Sequence, residues 1–110
     1  MRGSNASGGQ LDLVLLSALG SLGEAHGYGL IAAVRDRTDG GLDVPEGSVY
    51  PALQRLERDG LLEGRWDRSA PRRRRLYRLS APGLESLAER QKDWHGFTAS
   101  MERLMQWGPA

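Results

Sequence analysis

There is no cysteine in the 110 residues, and that absence removes several chemistries at once. Without thiols there is no disulfide framework, no cysteine nucleophile and no thiolate-held zinc. Histidine is nearly as scarce. His26 and His95 fall in separate segments, and no H-x-x-x-H or H-x-x-E-H pattern exists to gather a metal. His26, beside a glycine turn, reads as structural and His95 as a helix-surface residue. No serine sits in G-x-S-x-G, and Gly27-Tyr28-Gly29 lacks the third glycine and the preceding strand of a phosphate loop. Neither an enzyme nor a bound cofactor is expected. No apolar run approaches the ~18 residues of a membrane span. Leu11–Gly20 is apolar, yet no small-residue cleavage site follows it as in a secretory signal. The expected location is the cytoplasm, with no membrane partner.

What is present points to one modest domain. The hydrophobic share of 39% and charged share of 26% suit a folded chain rather than a disordered one. A net charge of +1 conceals a strong asymmetry. Between Arg65 and Arg78 there are seven arginines (65, 68, 72, 73, 74, 75 and 78) and one acid, Asp67, a local charge of +6. The remaining eight basic and thirteen acidic residues leave the rest of the chain at −5. A cationic patch on a neutral protein suits a polyanion; the plainer alternative is a solvated arginine-rich loop.

Residues 1–10, MRGSNASGGQ, are small and polar and read as a flexible leader outside the fold. Leu11–Leu22 is apolar on nearly every side, as a central buried helix would be. A second helix follows Tyr28-Gly29 and stops at Asp39-Gly40-Gly41. Pro45 and Gly47 open a third, with Ser48 as its cap and Pro51 in its first turn, where no intrahelical bond is lost. Val49, Leu53 and Leu56 give it one apolar stripe, and Asp59-Gly60 ends it. Glu63–Trp66 and Arg74–Leu79 read as a two-stranded hairpin with its tip in Asp67–Arg73. Ser80 caps a final helix over Ala81–Gln106. Leu84, Leu87, Gln91, Trp94, Thr98, Met101 and Met105 recur along it at alternating spacings of three and four, a heptad seam widened by Phe97 and Leu104. At 1.5 Å per residue that helix is about 39 Å long and outreaches the domain. A second copy of the chain would cover its far end, or else it folds back on the first helix.

The fold class read here is mainly α with a small β-hairpin. A helix-turn-helix with the hairpin beside it as a wing, a winged helix-turn-helix, spans 11–80. Over 81–107 runs a long helix expected to serve as the dimerisation helix unless it folds back. With its apolar stripe buried, the third helix presents Ser48, Tyr50, Pro51, Gln54, Arg55 and Arg58. Glutamine can read an adenine edge through two hydrogen bonds, and arginine can read guanine or hold a phosphate. Gly47 and Ser48 at the helix N-terminus offer N–H groups and a hydroxyl to phosphate. Such a helix fits the major groove of double-stranded DNA, and the arginine-rich tip, Arg72–Arg75, can then grip backbone or a narrow minor groove. Gly47, Ser48, Tyr50, Pro51, Gln54, Arg55, Arg58, Arg72, Arg73 and Arg74 are the candidate DNA contacts. The rival is a winged module for protein contacts or for nucleic acid without sequence choice. Trp66 reads as wing packing and Trp107 as a helix-end anchor.

Four stretches together resemble the PadR family of bacterial winged-helix transcriptional regulators. They are Leu11–Leu22, HGYGLIAAV (26–34), GSVYPALQRLERDGLLEG (47–64) and RRRRLYRLSAPGLESL (72–87). The likeness covers about 11–107, and its most specific part is G-S-x-Y-P-x-L-x-R-L-E-x-x-G-L. It implies a homodimer held by the first and last helices, with two recognition helices and two wings facing DNA. It implies repression, often released by a small hydrophobic or aromatic effector. It also places Ser48, Tyr50 and Pro51 at phosphate-backbone positions. Pro45 stands where the family pattern leads us to expect a capping Ser or Thr. In part of the family an aromatic at the position of Trp94 lines a pore at the dimer interface and stacks on flat ligands. Trp94 is the candidate effector residue; simple packing in the dimer core is the alternative.

Overall fold

Leucines on both sides of one helix dictate the architecture, because that helix must be wrapped by the others. A computed structural model describes residues 8–69 and 71–109. The chain order is α1 (Gly8–Leu22), β1 (Glu24–His26), α2 (Gly27–Arg37), α3 (Glu46–Arg58), β2 (Leu62–Asp67), β3 (Arg74–Leu79) and α4 (Ala81–Gln106). Leu15, Leu16 and Leu19 of α1 are fully buried. They meet Leu30 of α2 and Val49, Leu53 and Leu56 of α3, with Leu62, Tyr77 and Leu87 closing the core. Helix α1 begins at Gly8, so residues 8–10 belong to it rather than to a leader. The rest of that expected leader, 1–7, lies outside the described residues.

The sheet has three strands, not two, in the order β1-β3-β2, with both pairings antiparallel. The added strand is Glu24-Ala25-His26, which pairs with Arg78, Tyr77 and Leu76. The hairpin itself is as expected, widened by one residue at each end of β2.

Helix α3 starts earlier than Ser48. Pro45 is its N-cap, in extended conformation, and its carbonyl accepts from the Ser48 and Val49 amides. Ser48 therefore sits inside the first turn, and Pro51 lies in the second, where its missing N–H would have bonded the Gly47 carbonyl. Both Gly47 and Pro51 are exposed, so water can satisfy that carbonyl. The stop of α2 is as read: Asp39 and Gly40 take positive φ, 50° and 78°, and Thr38 Oγ1 donates to the Val34 carbonyl at 2.7 Å.

Ser80 caps α4. Its hydroxyl accepts from the Gly83 amide at 3.0 Å and donates to the Gly60 carbonyl at 2.6 Å, while its own amide donates to the Leu61 carbonyl. This clamps the start of α4 to the α3–β2 turn. Gly83 is needed there, since a Cβ would meet the Leu61 carbonyl oxygen at 2.0 Å. Within the seam, Leu87 belongs to the chain's own core and is 8% exposed, so it is not offered to a partner. Its side chain packs over Gly20 of α1. Beyond Gln91 the helix runs clear of the core, and the molecule measures 62 × 28 × 20 Å.

Candidate nucleic-acid interface

Helical periodicity decides what α3 shows to solvent. Val49, Ala52, Leu53 and Leu56 are buried, and the opposite direction carries Gly47, Pro51, Gln54 and Arg58, all exposed. Ser48 and Tyr50 flank this stripe on either side. Tyr50 is 40% exposed, and its ring rests on the start of α2, where a Cβ on Gly27 would come within 2.5 Å of it. Its packing explains why Gly27 has no side chain. The tyrosine thus fixes the angle of the helix-turn-helix while keeping one edge in solvent.

Arg55 does not join the stripe. It points back to α1 and forms a two-pronged pair with Asp12, Nη2 to Oδ1 at 2.6 Å and Nη1 to Oδ2 at 3.1 Å. Asp12 is 7% exposed, and Arg90 of α4 approaches it at 3.7 Å. A buried carboxylate is costly without a partner, so Arg55 is committed to the scaffold. The expectation that it contacts DNA is corrected accordingly: its place on the flank of α3 faces α1.

The seven clustered arginines separate into two groups. Arg65 pairs with Glu24, Arg75 with Glu57 and Arg78 with Glu63. All three lie in the strands: Arg65 and Arg78 bridge strands within the sheet, and Arg75 ties the sheet to α3. Arg75 therefore drops out of the Arg72–Arg75 grip. Arg68, Arg72, Arg73 and Arg74 are exposed, lie at or beside the hairpin tip, and have no acidic partner among the described residues. The cationic patch is thus concentrated at the tip. Arg68 was absent from the sequence-based candidates, although its place inside Asp67–Arg73 was a usable signal.

The tip is tethered by Asp67. Its Oδ1 accepts from the Ser69 amide at 2.9 Å and from the Ser69 hydroxyl at 2.6 Å, and its Oδ2 lies 2.8 Å from His26 Nε2. The hydroxyl of Ser69, then its amide, then His26 hold the Asp67 carboxyl well below the usual carboxylate range. His26 is structural, as read. Glu57 is also held below its ordinary value, chiefly by the hydrogen bonds from Arg75.

A second surface lies away from α3. Leu13, Val14 and Ala18 of α1, Ala33 of α2, and Trp94 of α4 line an open groove of about 560 Å³. Trp94 is 41% exposed, with Phe97 tilted beside it at 6.0 Å between centroids. Phe97, Leu104, Met105 and Trp107 are more than half exposed along the projecting part of α4. No helix is long and apolar enough to cross a membrane, and no metal-holding cluster occurs among the described residues.

A family model described as the transcriptional regulator PadR-like family matches residues 15–89. The structure of a PadR family transcriptional regulator from Eggerthella lenta is similar at a TM-score of 0.75 and 29% identity, covering 86% of this chain and 83% of that one. That of a transcriptional regulator from Clostridium thermocellum reaches a TM-score of 0.78 at 25% identity, covering 86% and 92%. An uncharacterised protein of Lysinibacillus sphaericus is 29% identical over 87 residues, 78% of this chain and 79% of its own length.

Proposed function

Because the chain belongs to the PadR-like family of transcriptional regulators, a DNA-binding class, we propose that it is a homodimeric, sequence-specific repressor of the cytoplasm. The observation that carries this is the presence of two exposed features on successive elements of one helix-turn-helix unit. An exposed stripe of Gly47, Pro51, Gln54 and Arg58 on α3 accompanies a hairpin tip whose four arginines lack acidic partners among the described residues. Residues 11–80 form the DNA-binding unit. Gln54 and Arg58 read base edges in the major groove, and Gly47, Ser48, Tyr50 and Pro51 lie against phosphate. Arg68, Arg72, Arg73 and Arg74 hold backbone or a narrow minor groove.

Residues 81–107 form the dimerisation helix, through Leu84, Gln91, Trp94, Thr98, Met101 and Met105. The groove beside Trp94 is apolar and wide enough for a flat aromatic or hydrophobic effector. Such a ligand would alter the separation of the two recognition helices and lower operator affinity. An operator affinity that stays constant with every ligand able to quench tryptophan fluorescence would remove the effector from this reading.

The test is selection of genomic fragments by the purified protein at about 150 mM salt, where non-specific phosphate binding is already weakened. Enrichment of one palindrome with half-sites about one helical turn apart, roughly 34–36 Å, is expected. Uniform recovery that vanishes with salt would instead favour a module that grips nucleic acid without sequence choice.

A further inference from the structure

Trp66 stands in β2 at the base of the hairpin tip and is 47% exposed. Two guanidinium groups lie over its ring: Arg73 Cζ at 4.5 Å from the centroid and Arg75 Cζ at 5.1 Å. The two are not equivalent. Arg75 is the cross-strand partner of Trp66, and its charge is taken up by Glu57, on the last turns of α3, which accepts from both Nε and Nη2. Its Nη2 also reaches the Gly64 carbonyl at 3.3 Å. Arg73 has no acidic partner among the described residues. Gly64, two residues before Trp66, makes room for the assembly. A Cβ there would lie 2.7 Å from Arg75 Nε and 2.9 Å from each Glu57 carboxylate oxygen. The result is a continuous column, Glu57–Arg75–Trp66–Arg73, from the recognition helix to the wing tip.

We infer that Trp66 is a positioning residue for DNA binding: its indole holds Arg73 ready for a backbone phosphate, at a place fixed relative to α3 through Arg75 and Glu57. The inference rests on the DNA-binding reading of this face. Its physical reason is preorganisation. An arginine at a loop tip loses rotamer freedom when it meets a phosphate, and one already stacked loses less. Indole is the side chain best suited to hold a cation against its face. Two cations at one ring would repel each other, and Glu57 removes that repulsion by neutralising Arg75. Arg73 is then the member of the column left with charge for an external anion. Attraction to the ring acts on the guanidinium charge and forms none of the N–H···O bonds that a phosphate would take.

The test measures affinity of the full chain for a mixed-sequence DNA duplex of about 30 base pairs across about 50–200 mM salt. Arg73→Ala should weaken binding several-fold and flatten the salt slope by about 0.9 per wing. Trp66→Ala and Trp66→Leu should also weaken binding but keep most of the salt slope, because Arg73 can still reach the phosphate at a larger entropic cost, and Trp66→Phe should restore most of the affinity. The double variant Trp66→Leu/Arg73→Ala should bind no worse than Arg73→Ala alone. Multiplying losses in the double variant would mean that the indole touches DNA itself, and wild-type behaviour of Trp66→Leu would mean that no stack is needed; each overturns the inference. So does an Arg73→Ala protein with unchanged affinity. If Trp66→Ala fails to fold, Trp66→Leu and Trp66→Phe keep the comparison, since both retain an apolar bulk at that site. Absence of salt-dependent binding by the wild-type protein would be a different failure, that of the DNA-binding reading of the face.

Discussion

Asp67 is the residue on which the geometry of the wing tip depends most directly. It ends β2, receives both donors of Ser69 and touches His26, so one carboxylate joins the hairpin tip to β1. Folding lowers its pKa. Its ionised form therefore contributes stability that is complete above the ordinary carboxylate value of about 3.9 and is lost as pH falls below it. Glu57 and Glu24, also held low by their arginines, act in the same direction and are retained in an Asp67→Asn variant. The variant should accordingly lose less thermal stability than the wild type between pH 7 and pH 3, although it starts lower at pH 7. Circular-dichroism melts at the two pH values give the comparison, and equal losses would show that Asp67 is not a contributor. Neither the depressed pKa nor its cause was legible in the sequence. Ser69 is a near neighbour, but His26 is brought in by a strand pairing across the sheet.

Elements whose start and stop are encoded locally were the readable ones. Ser80 announces α4 because a hydroxyl three residues before an amide is a complete cap in itself, and Asp39-Gly40 announces the end of α2 by accessible positive φ. Strand β1 was hidden for the opposite reason: three residues, Glu24–His26, become a strand only when Leu76–Arg78 arrives beside them. The start of α3 was misplaced because Pro51 normally marks a first turn, whereas here an exposed Gly47 carbonyl tolerates its loss. Arg55 was misassigned because a helical wheel shows direction but not what stands there, and Asp12 stands there from 43 residues away. Arg55→Ala should thus destabilise the fold by about 1–2 kcal/mol, less than a fully buried pair would cost because the guanidinium is partly exposed. It should leave base preference unchanged. Gln54→Ala should do the reverse, with unchanged urea unfolding and relaxed preference at one base, worth about 1–3 kcal/mol. Gly83→Ala sets α4 against the backbone of Leu61 and should lower stability by about 1–3 kcal/mol in the same urea assay. A stability loss confined to Gln54→Ala would reverse the roles assigned to the two faces of α3.

At the scale of the whole molecule, the hairpin tip and the far part of α4 carry different surfaces. Arg68, Arg72, Arg73 and Arg74, without acidic partners among the described residues, gather at the hairpin tip, while the projecting part of α4 and its end carry a run of exposed large apolar side chains, Phe97, Leu104, Met105 and Trp107, each more than half uncovered. Such a patch is costly to leave in water, and a two-fold partner would cover it with its own identical patch. The periodicity of that seam was plain in the sequence, except that Leu87 proved to belong to the chain's own core. Met105 is the most informative position, being 69% exposed in the single chain and far from α1, so a charge there costs the isolated fold little. In a dimer the same charge would be buried without a partner. Wild-type protein should therefore sediment as a dimer, and Met105→Glu should shift toward monomer with secondary structure intact. Operator affinity should fall with it by well over an order of magnitude, because two half-sites held by one dimer bind with an effective local concentration that separate monomers lack. Unpaired wing arginines would still give the monomer weak, salt-sensitive binding to any duplex. If wild type and Met105→Glu both sediment as monomers, the apolar half of α4 belongs to some other partner, and the two-fold operator reading goes with it.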